Sequence, residues 1–192
     1  HDLRTPLTRL KLQLALSKDQ NVVKKMSEDI EEMERMLNEY LEFSRNQKNE
    51  ETEVISVNNL IEEIIKKYDG KEINVHFEEN IKINMRPNAI KRCLTNLIDN
   101  GLAYGKKVEI IFKKKIRDLI IFVDDNGPGI PENEYKNVMK PFYRIDKSRG
   151  QNKSGVGLGL SIANDIVLSH GGNILLEKNH LNGLRVKIAL PF

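Results

Sequence analysis

The apolar positions of the first 46 residues repeat with a helical period. Leu3, Leu7, Leu10 and Leu14 follow one another at spacings of four, three and four, which places them on one stripe of a helix. Ser17-Lys18-Asp19-Gln20-Asn21 interrupts the stripe with residues that favour turns and caps. A second stripe runs through Met26, Ile30, Met33, Leu37, Tyr40 or Leu41, and Ser44, with Glu28, Asp29, Glu31, Glu32 and Glu34 falling mostly between its members. The pattern predicts a helical hairpin over residues 1–46. Two helices cannot enclose a core, so the hairpin is expected to pair with a second copy as a dimeric four-helix bundle. On pattern alone it is an oligomerisation hairpin.

A polar stretch, Asn46 to Glu51, reads as a linker, assigned to 47–53, and beyond it the period changes. Ser56 is placed to cap a helix running to about Tyr68, with Leu60, Ile61, Ile64 and Ile65 on its buried side. Alternating segments at 73–77 and 81–85 precede a helix that Pro87 opens and that carries Ile90, Leu94, Leu97 and Ile98. Strands are predicted at 108–112 and 119–123, a helix at 160–169 ending in His170-Gly171-Gly172, and two final strands at 174–177 and 185–190. An α/β sandwich over residues 54–192 follows, so the chain as a whole is α+β.

Composition narrows the class. The chain is 39% hydrophobic and 31% charged over 192 residues, too apolar for a disordered segment. No apolar run approaches the length that spans a bilayer. One cysteine, Cys93, forms no internal disulfide, which favours a reducing compartment, and it reads as a small core hydrophobe. The net charge of +3 is spread over both signs and argues against a nucleic-acid face. The chain begins at a histidine with no secretory signal and reads as a piece of a longer protein.

Four features bear chemistry. Asp125-Asn126-Gly127-Pro128-Gly129 follows an apolar strand, and Gly155-Val156-Gly157-Leu158-Gly159-Leu160-Ser161 precedes a helix. A glycine loop opening a helix suits phosphate, because backbone N–H groups and the positive helix end face the anion. Neither loop carries Gly-Lys-Ser/Thr, and the second does not follow a strand, so the P-loop and dinucleotide fingerprints both fail. Each loop alone is equally a tight turn with a cap. In Asn96-Leu97-Ile98-Asp99-Asn100 the asparagines lie four apart on one helical face, and amide oxygens suit Mg²⁺ when a triphosphate supplies the charge. In the opening His1-Asp2-Leu3-Arg4-Thr5-Pro6, Thr5 lies one turn from His1 and Pro6 favours a kink beside it. A neutral imidazole nitrogen is a good nucleophile. His76 is expected on an exposed strand face and His180 in a hairpin turn, and the scattered histidines show no metal-ligand spacing.

Together and in this order these features resemble the sensor histidine kinases of two-component signalling, whose ATP-binding domain shares a superfamily with Hsp90, MutL and gyrase B. The resemblance spans the chain. His1 to Pro6 is similar to the H box, Asn96 to Asn100 to the N box, and Asp125 to Gly129 to the first glycine box. Lys140-Pro141-Phe142-Tyr143-Arg144 is similar to the F box, and Gly155 to Gly159 to the second glycine box. The opening also resembles the osmosensor-type kinases that serve OmpR-like regulators.

The resemblance implies roles. His1 would be the phosphoacceptor, Asp2 its hydrogen-bonding partner or base, and Thr5 the residue that positions water for dephosphorylating the partner regulator. Asn100 would ligate Mg²⁺ with Asn96 beside the phosphates, and Tyr104 and Lys106 would add nucleotide contacts. Asp125 would accept from the adenine amino group; guanine presents an acceptor oxygen there, which a carboxylate repels. Gly127, Gly129, Ile130, Gly155, Gly157, Leu158, Gly159 and Leu160 would complete the ATP site, with Phe142 and Arg144 on a mobile lid within 130–154. The implied activity is ATP- and Mg²⁺-dependent autophosphorylation of His1 and transfer to a response-regulator aspartate, with phosphatase activity toward that regulator. The implied setting is a cytoplasmic domain of a bacterial inner-membrane protein, a homodimer through 1–46, with membrane helices upstream and no direct contact with nucleic acid. The alternative is an ATP-binding scaffold or phosphatase with little autokinase activity. Two positions depart from the family pattern: Gly101 replaces a common alanine, and Leu184 after Gly183 replaces a frequent threonine.

Overall fold

Each strand from 107 onward buries alternate side chains, and that alternation builds the sheet. The computed structural model describes residues 50–145 and 157–192, together with positions 10, 14, 23, 24, 26, 27, 30, 31, 33, 34 and 37. The chain divides into two compact units, His1–Asn49 and Glu50–Phe192.

In the first unit every described position is helical. Leu14 and Ile30, one from each predicted stripe, are buried against each other, with Leu37 packed on them. Leu10, Met26 and Met33 remain 38–47% exposed.

In the second unit β1 (Glu53–Ser56) leads into α1 (Val57–Ile65), where the Ser56 hydroxyl accepts from the Asn59 N–H as the expected N-cap. β2 (Glu72–Phe77) and β3 (Lys82–Met85) precede α2 (Pro87–Tyr104), and β4 (Lys107–Lys114) and β5 (Asp118–Asp125) form a hairpin. A 3₁₀ turn (Glu132–Glu134) and the short α3 (Tyr135–Val138) occupy part of the stretch expected to be irregular, anchored by the buried Val138. α4 (Gly159–Ser169), β6 (Asn173–Lys178) and β7 (Leu184–Pro191) complete the unit.

The main sheet runs β2-β4-β5-β7-β6; β2 is parallel to β4 and every other pair is antiparallel. β1 and β3 make a separate antiparallel ribbon. Val108, Ile110, Phe112, Leu119, Ile121, Val123, Val186 and Ile188 fill one sheet face, and α2 and α4 pack together over it. Phe77 stacks on Phe112 at 4.8 Å between centroids. Cys93 lies in this core, and burial pushes its thiol up to about 12, which leaves it unreactive.

The opposite face carries a row of polar residues in register across all five strands: Asn74, Glu109, Asp124, Arg185 and Glu177. Two carboxylates facing each other across adjacent strands repel. Arg185 offsets this by donating to both oxygens of the fully buried Asp124, at 2.8 and 2.6 Å, while stacking over Phe122. His180, in a turn as expected, approaches Glu109 at 3.6 Å and Asp124 at 3.9 Å, and His76 reaches the other Glu109 oxygen at 3.1 Å. Sequence spacing gives no hint of this grouping, because its members come from all five strands and a turn.

Candidate active site

α2 supplies the first wall. Leu94, Leu97, Ile98 and Gly101 turn into the core, which leaves Asn96 and Asn100 on a flank one helical turn apart. The Nδ2 of Asn96 is buried and, among the described residues, has no hydrogen-bond partner. A buried donor left unpaired costs about 1–3 kcal/mol, so this amide calls for an acceptor from a ligand. Asp99 is engaged elsewhere, accepting from the Tyr68 hydroxyl at 2.7 Å, and burial together with that bond raises the Tyr68 phenol.

The N-terminus of α4 meets the same flank. A Cβ on Gly159 would stand 3.0 Å from the Nδ2 and 3.2 Å from the Oδ1 of Asn100, a contact that glycine alone leaves open. Its N-cap residue Leu158 offers no side-chain bond and, among the described residues, no other side chain caps this helix, so its first N–H groups keep their capacity for an anion. An unpaired amide donor, two amide oxygens and an uncapped helix start fit a triphosphate with Mg²⁺ better than a free metal, because among the described residues no carboxylate completes a cation cage here. Leu158 is buried at the helix start, its carbonyl accepting from the Ser161 hydroxyl, and Leu160 is half-buried.

The loop after β5 supplies the second wall. Asp125 Oδ1 accepts from the N–H groups of Gly127 (2.8 Å) and Leu184 (3.2 Å). Among the described residues no group donates to its other oxygen. Asn126 Oδ1 accepts from the N–H groups of Lys106 and Lys107, fixing the end of α2 against the loop. Gly127 lies against the Tyr104 carbonyl, where a Cβ would stand 3.0 Å from that oxygen. Tyr104 and Lys106 are exposed at this edge and Ile130 is half-buried beyond it. Gly129 adopts φ +72°, a conformation that favours glycine. Gly101 has a packing reason: a Cβ there would come 2.7 Å from Val108 Cγ2 and 3.4 Å from Asp125 Cβ. The propensity lost in the helix is thus exchanged for close approach of α2 to β4 and β5.

Phe142, expected on the lid, is 50% exposed and holds φ 64°, a strained conformation for an aromatic residue. Its N–H donates to the Gly157 carbonyl at 3.0 Å, which joins the F-box segment to the second glycine loop. Tyr143 donates to Glu134 at 2.7 Å, and that bond lowers the Glu134 carboxyl. Arg144 is half-buried. His1, Asp2, Thr5 and Gly155 lie outside the described residues.

Two contributors escape sequence reasoning. Glu50, read as linker, accepts from the N–H groups of Asn88 and Ala89 at 2.6 and 3.0 Å and caps α2, whose own N-cap residue Arg86 makes no side-chain capping bond and turns its guanidinium to Ser169 and His170 instead. Asn179, read as part of a turn, donates to the Asp125 carbonyl. The one available signal was its place in an Asx-forming sequence before Gly183.

Comparison with known proteins bears on the family to which the chain belongs. Residues 85–192 match the family described as histidine kinase-, DNA gyrase B- and HSP90-like ATPase, and residues 1–49 match the His Kinase A (phospho-acceptor) domain. The chain is 36% identical over 194 residues to the sensor histidine kinase GtrS of Pseudomonas aeruginosa, a match that takes in all of this chain and 40% of that protein. It is 34% identical over 205 residues to the sensor histidine kinase CpxA of Escherichia coli K12, covering all of this chain and 45% of the relative. It therefore spans less than half the length of these relatives. Among solved structures, the catalytic domain of histidine kinase ThkA superposes with a TM-score of 0.63 at 26% identity, over 73% of this chain and 95% of that one. An N-terminal phospho-acceptor match, an ATPase match over the sandwich and a common fold converge on one conclusion: the chain belongs to the sensor histidine kinases and carries their phospho-acceptor and ATP-binding parts.

Proposed function

We propose that this chain is the core of an autokinase in which residues 54–192 deliver the γ-phosphoryl group of ATP to His1 in the hairpin 1–46, across the linker 47–53. The observation that carries the reading is the meeting of the unpaired Asn96 donor, Asn100 and the uncapped start of α4 in one place. Asn96 and the first N–H groups of α4, with Gly155, Gly157, Gly159 and Leu160, bind phosphate oxygens. Asn100 would hold Mg²⁺ by its amide oxygen, and the chemistry that ion would supply there is positive charge against the triphosphate. Asp125 accepts from the adenine amino group, Tyr104, Lys106, Gly127, Gly129, Ile130 and Leu158 frame the base and sugar, and Phe142 and Arg144 close over the phosphates.

One imidazole nitrogen of His1 forms a bond to phosphorus as the bond from phosphorus to the departing ADP oxygen breaks, and Asp2 holds the proton on the other nitrogen. The phosphoryl group then passes to a carboxylate of a response regulator, of the OmpR-like class. Thr5 orients water for the reverse, phosphatase, direction. The exposed Leu10, Met26 and Met33 support a second copy of the hairpin as partner. In the whole protein, upstream membrane helices would connect this core to its stimulus, by analogy with the family.

Incubation with labelled ATP and Mg²⁺ tests the reading. Acid-labile, base-stable label that disappears in His1→Gln is the expected result. ADP binding without any label would leave the scaffold alternative, and acid-stable label would refute histidine phosphorylation.

A further inference from the structure

Asp125 is the last residue of β5, and the β5–β7 register ends one step earlier, at the Asp124–Arg185 pair. In an antiparallel ladder the next pair would be Asp125 with Leu184, and the Leu184 N–H would bond the Asp125 carbonyl. It does not. The Leu184 N–H donates instead to the Asp125 carboxylate, at 3.2 Å. The carbonyl it leaves behind is taken by Asn179 Nδ2 at 2.7 Å, and the same Nδ2 reaches the Leu184 carbonyl at 3.0 Å. Asn179 Oδ1 meanwhile accepts from the N–H groups of Leu181 and Gly183, both at 2.9 Å, so this buried amide spends every donor and acceptor it has. Gly183 lets the turn press close: a Cβ there would fall 2.0 Å from the Asp125 carbonyl oxygen and 2.6 Å from Oδ1.

We propose that Asn179 is a positioning and specificity residue for the base: by occupying the Asp125 carbonyl it releases the Leu184 N–H to fix the carboxylate that tells adenine from guanine. This rests on the reading of Asp125 as base acceptor. With Nδ2 removed, the Leu184 N–H is the nearest donor for the orphaned carbonyl, and the ladder closes in the ordinary way. The carboxylate then keeps only its Gly127 bond and rotates more freely, so the acceptor is less sharply aimed.

Asn179→Ser isolates this step, because it removes the amide donor without adding charge beside Asp125 and leaves a hydroxyl oxygen that can accept within the turn. In the full chain, ADP affinity by calorimetry is expected to fall about tenfold. GDP, whose base oxygen the Asp125 carboxylate is expected to repel, should lose less, so the ADP-to-GDP ratio is expected to shrink. The acid-side midpoint of ADP binding also moves upward, since the Leu184 bond helps to keep the carboxyl ionised. A residue that merely stabilised the turn would lower the melting temperature and leave the ratio and the midpoint where they were, and that outcome overturns the proposal. Should Asn179→Ser melt below the assay temperature, Asn179→Ala is judged by the same two readouts. Asp125→Asn, measured in parallel, separates the failures. If it binds ADP as tightly as the parent, the base-acceptor reading falls; if it loses ADP while the Asn179 variant keeps both affinity and ratio, only the role of Asn179 falls.

Discussion

At Asp125, burial raises the carboxyl above its ordinary value of 3.8, while the Gly127 and Leu184 N–H groups pull it partly back. A raised carboxyl pKa means that the folded state favours the protonated form. Its contribution to stability is therefore present at low pH and is lost as pH rises through the folded value. At neutral pH the ionised carboxylate costs folding energy, a cost that the proposed role as base acceptor accounts for. Asp125→Asn, which keeps an acceptor for both N–H groups, is accordingly expected to melt at or above the parent temperature at pH 7. The same variant should bind ADP more weakly by about 1–3 kcal/mol. In the parent, ADP affinity should decline on acidification with a midpoint above 3.8, and the variant should lack that limb. Calorimetric titration across pH, beside thermal melts, checks all three outcomes.

Among the elements, α2 bears most of the site and depends on a cap from elsewhere in the chain. Glu50 closes its first turn by two carboxylate bonds and places a negative charge at the positive helix end. Glu50→Ala should cost about 0.5–2 kcal/mol in a urea melt, the range for loss of an N-cap, and should weaken ADP because Asn96 and Asn100 ride on this helix. Unchanged stability would show the cap to be dispensable. This element also shows where sequence reading succeeds and where it stops. Pro87 and the apolar positions Ile90, Leu94, Leu97 and Ile98 made α2 visible, because a buried stripe and a rigid first residue are local properties. Glu50 acts on Asn88 from 38 residues away, and nothing in Asn46 to Glu51 distinguishes a capping carboxylate from a solvated one. β1 escaped for a related reason: Glu53-Val54-Ile55-Ser56 is four residues long, and its pairing with β3 is what makes it a strand. Asp125 and the glycine loops were legible as chemistry, whereas the hold of Asn179 on Asp125 joins residues 54 apart.

On the scale of the molecule, the hairpin buries Leu14 and Ile30 but leaves Met26 at 41% and Met33 at 47% exposure, an apolar surface that a second hairpin would cover. Met26→Glu with Met33→Glu should shift the chain from dimer to monomer in analytical ultracentrifugation and leave ADP affinity of the sandwich intact. A parent that sediments as a monomer at every concentration would refute the bundle.

The parallel pairing of β2 with β4 also sets an order of assembly. β4 with β5, and β6 with β7, are hairpins that close over short turns, but β2 reaches β4 only after the ribbon strand β3 and the whole of α2 have been laid down between them. Contacts between distant segments form late, because the chain must give up loop entropy before they return anything. The edge formed by β2 is thus the natural place for the sheet to fray, while β5, hydrogen-bonded on both sides, is among the last to open. The strand that ends in Asp125 is the one that breathing at the margin reaches last, so the carboxylate proposed to read the base outlives partial unfolding of the domain that presents it.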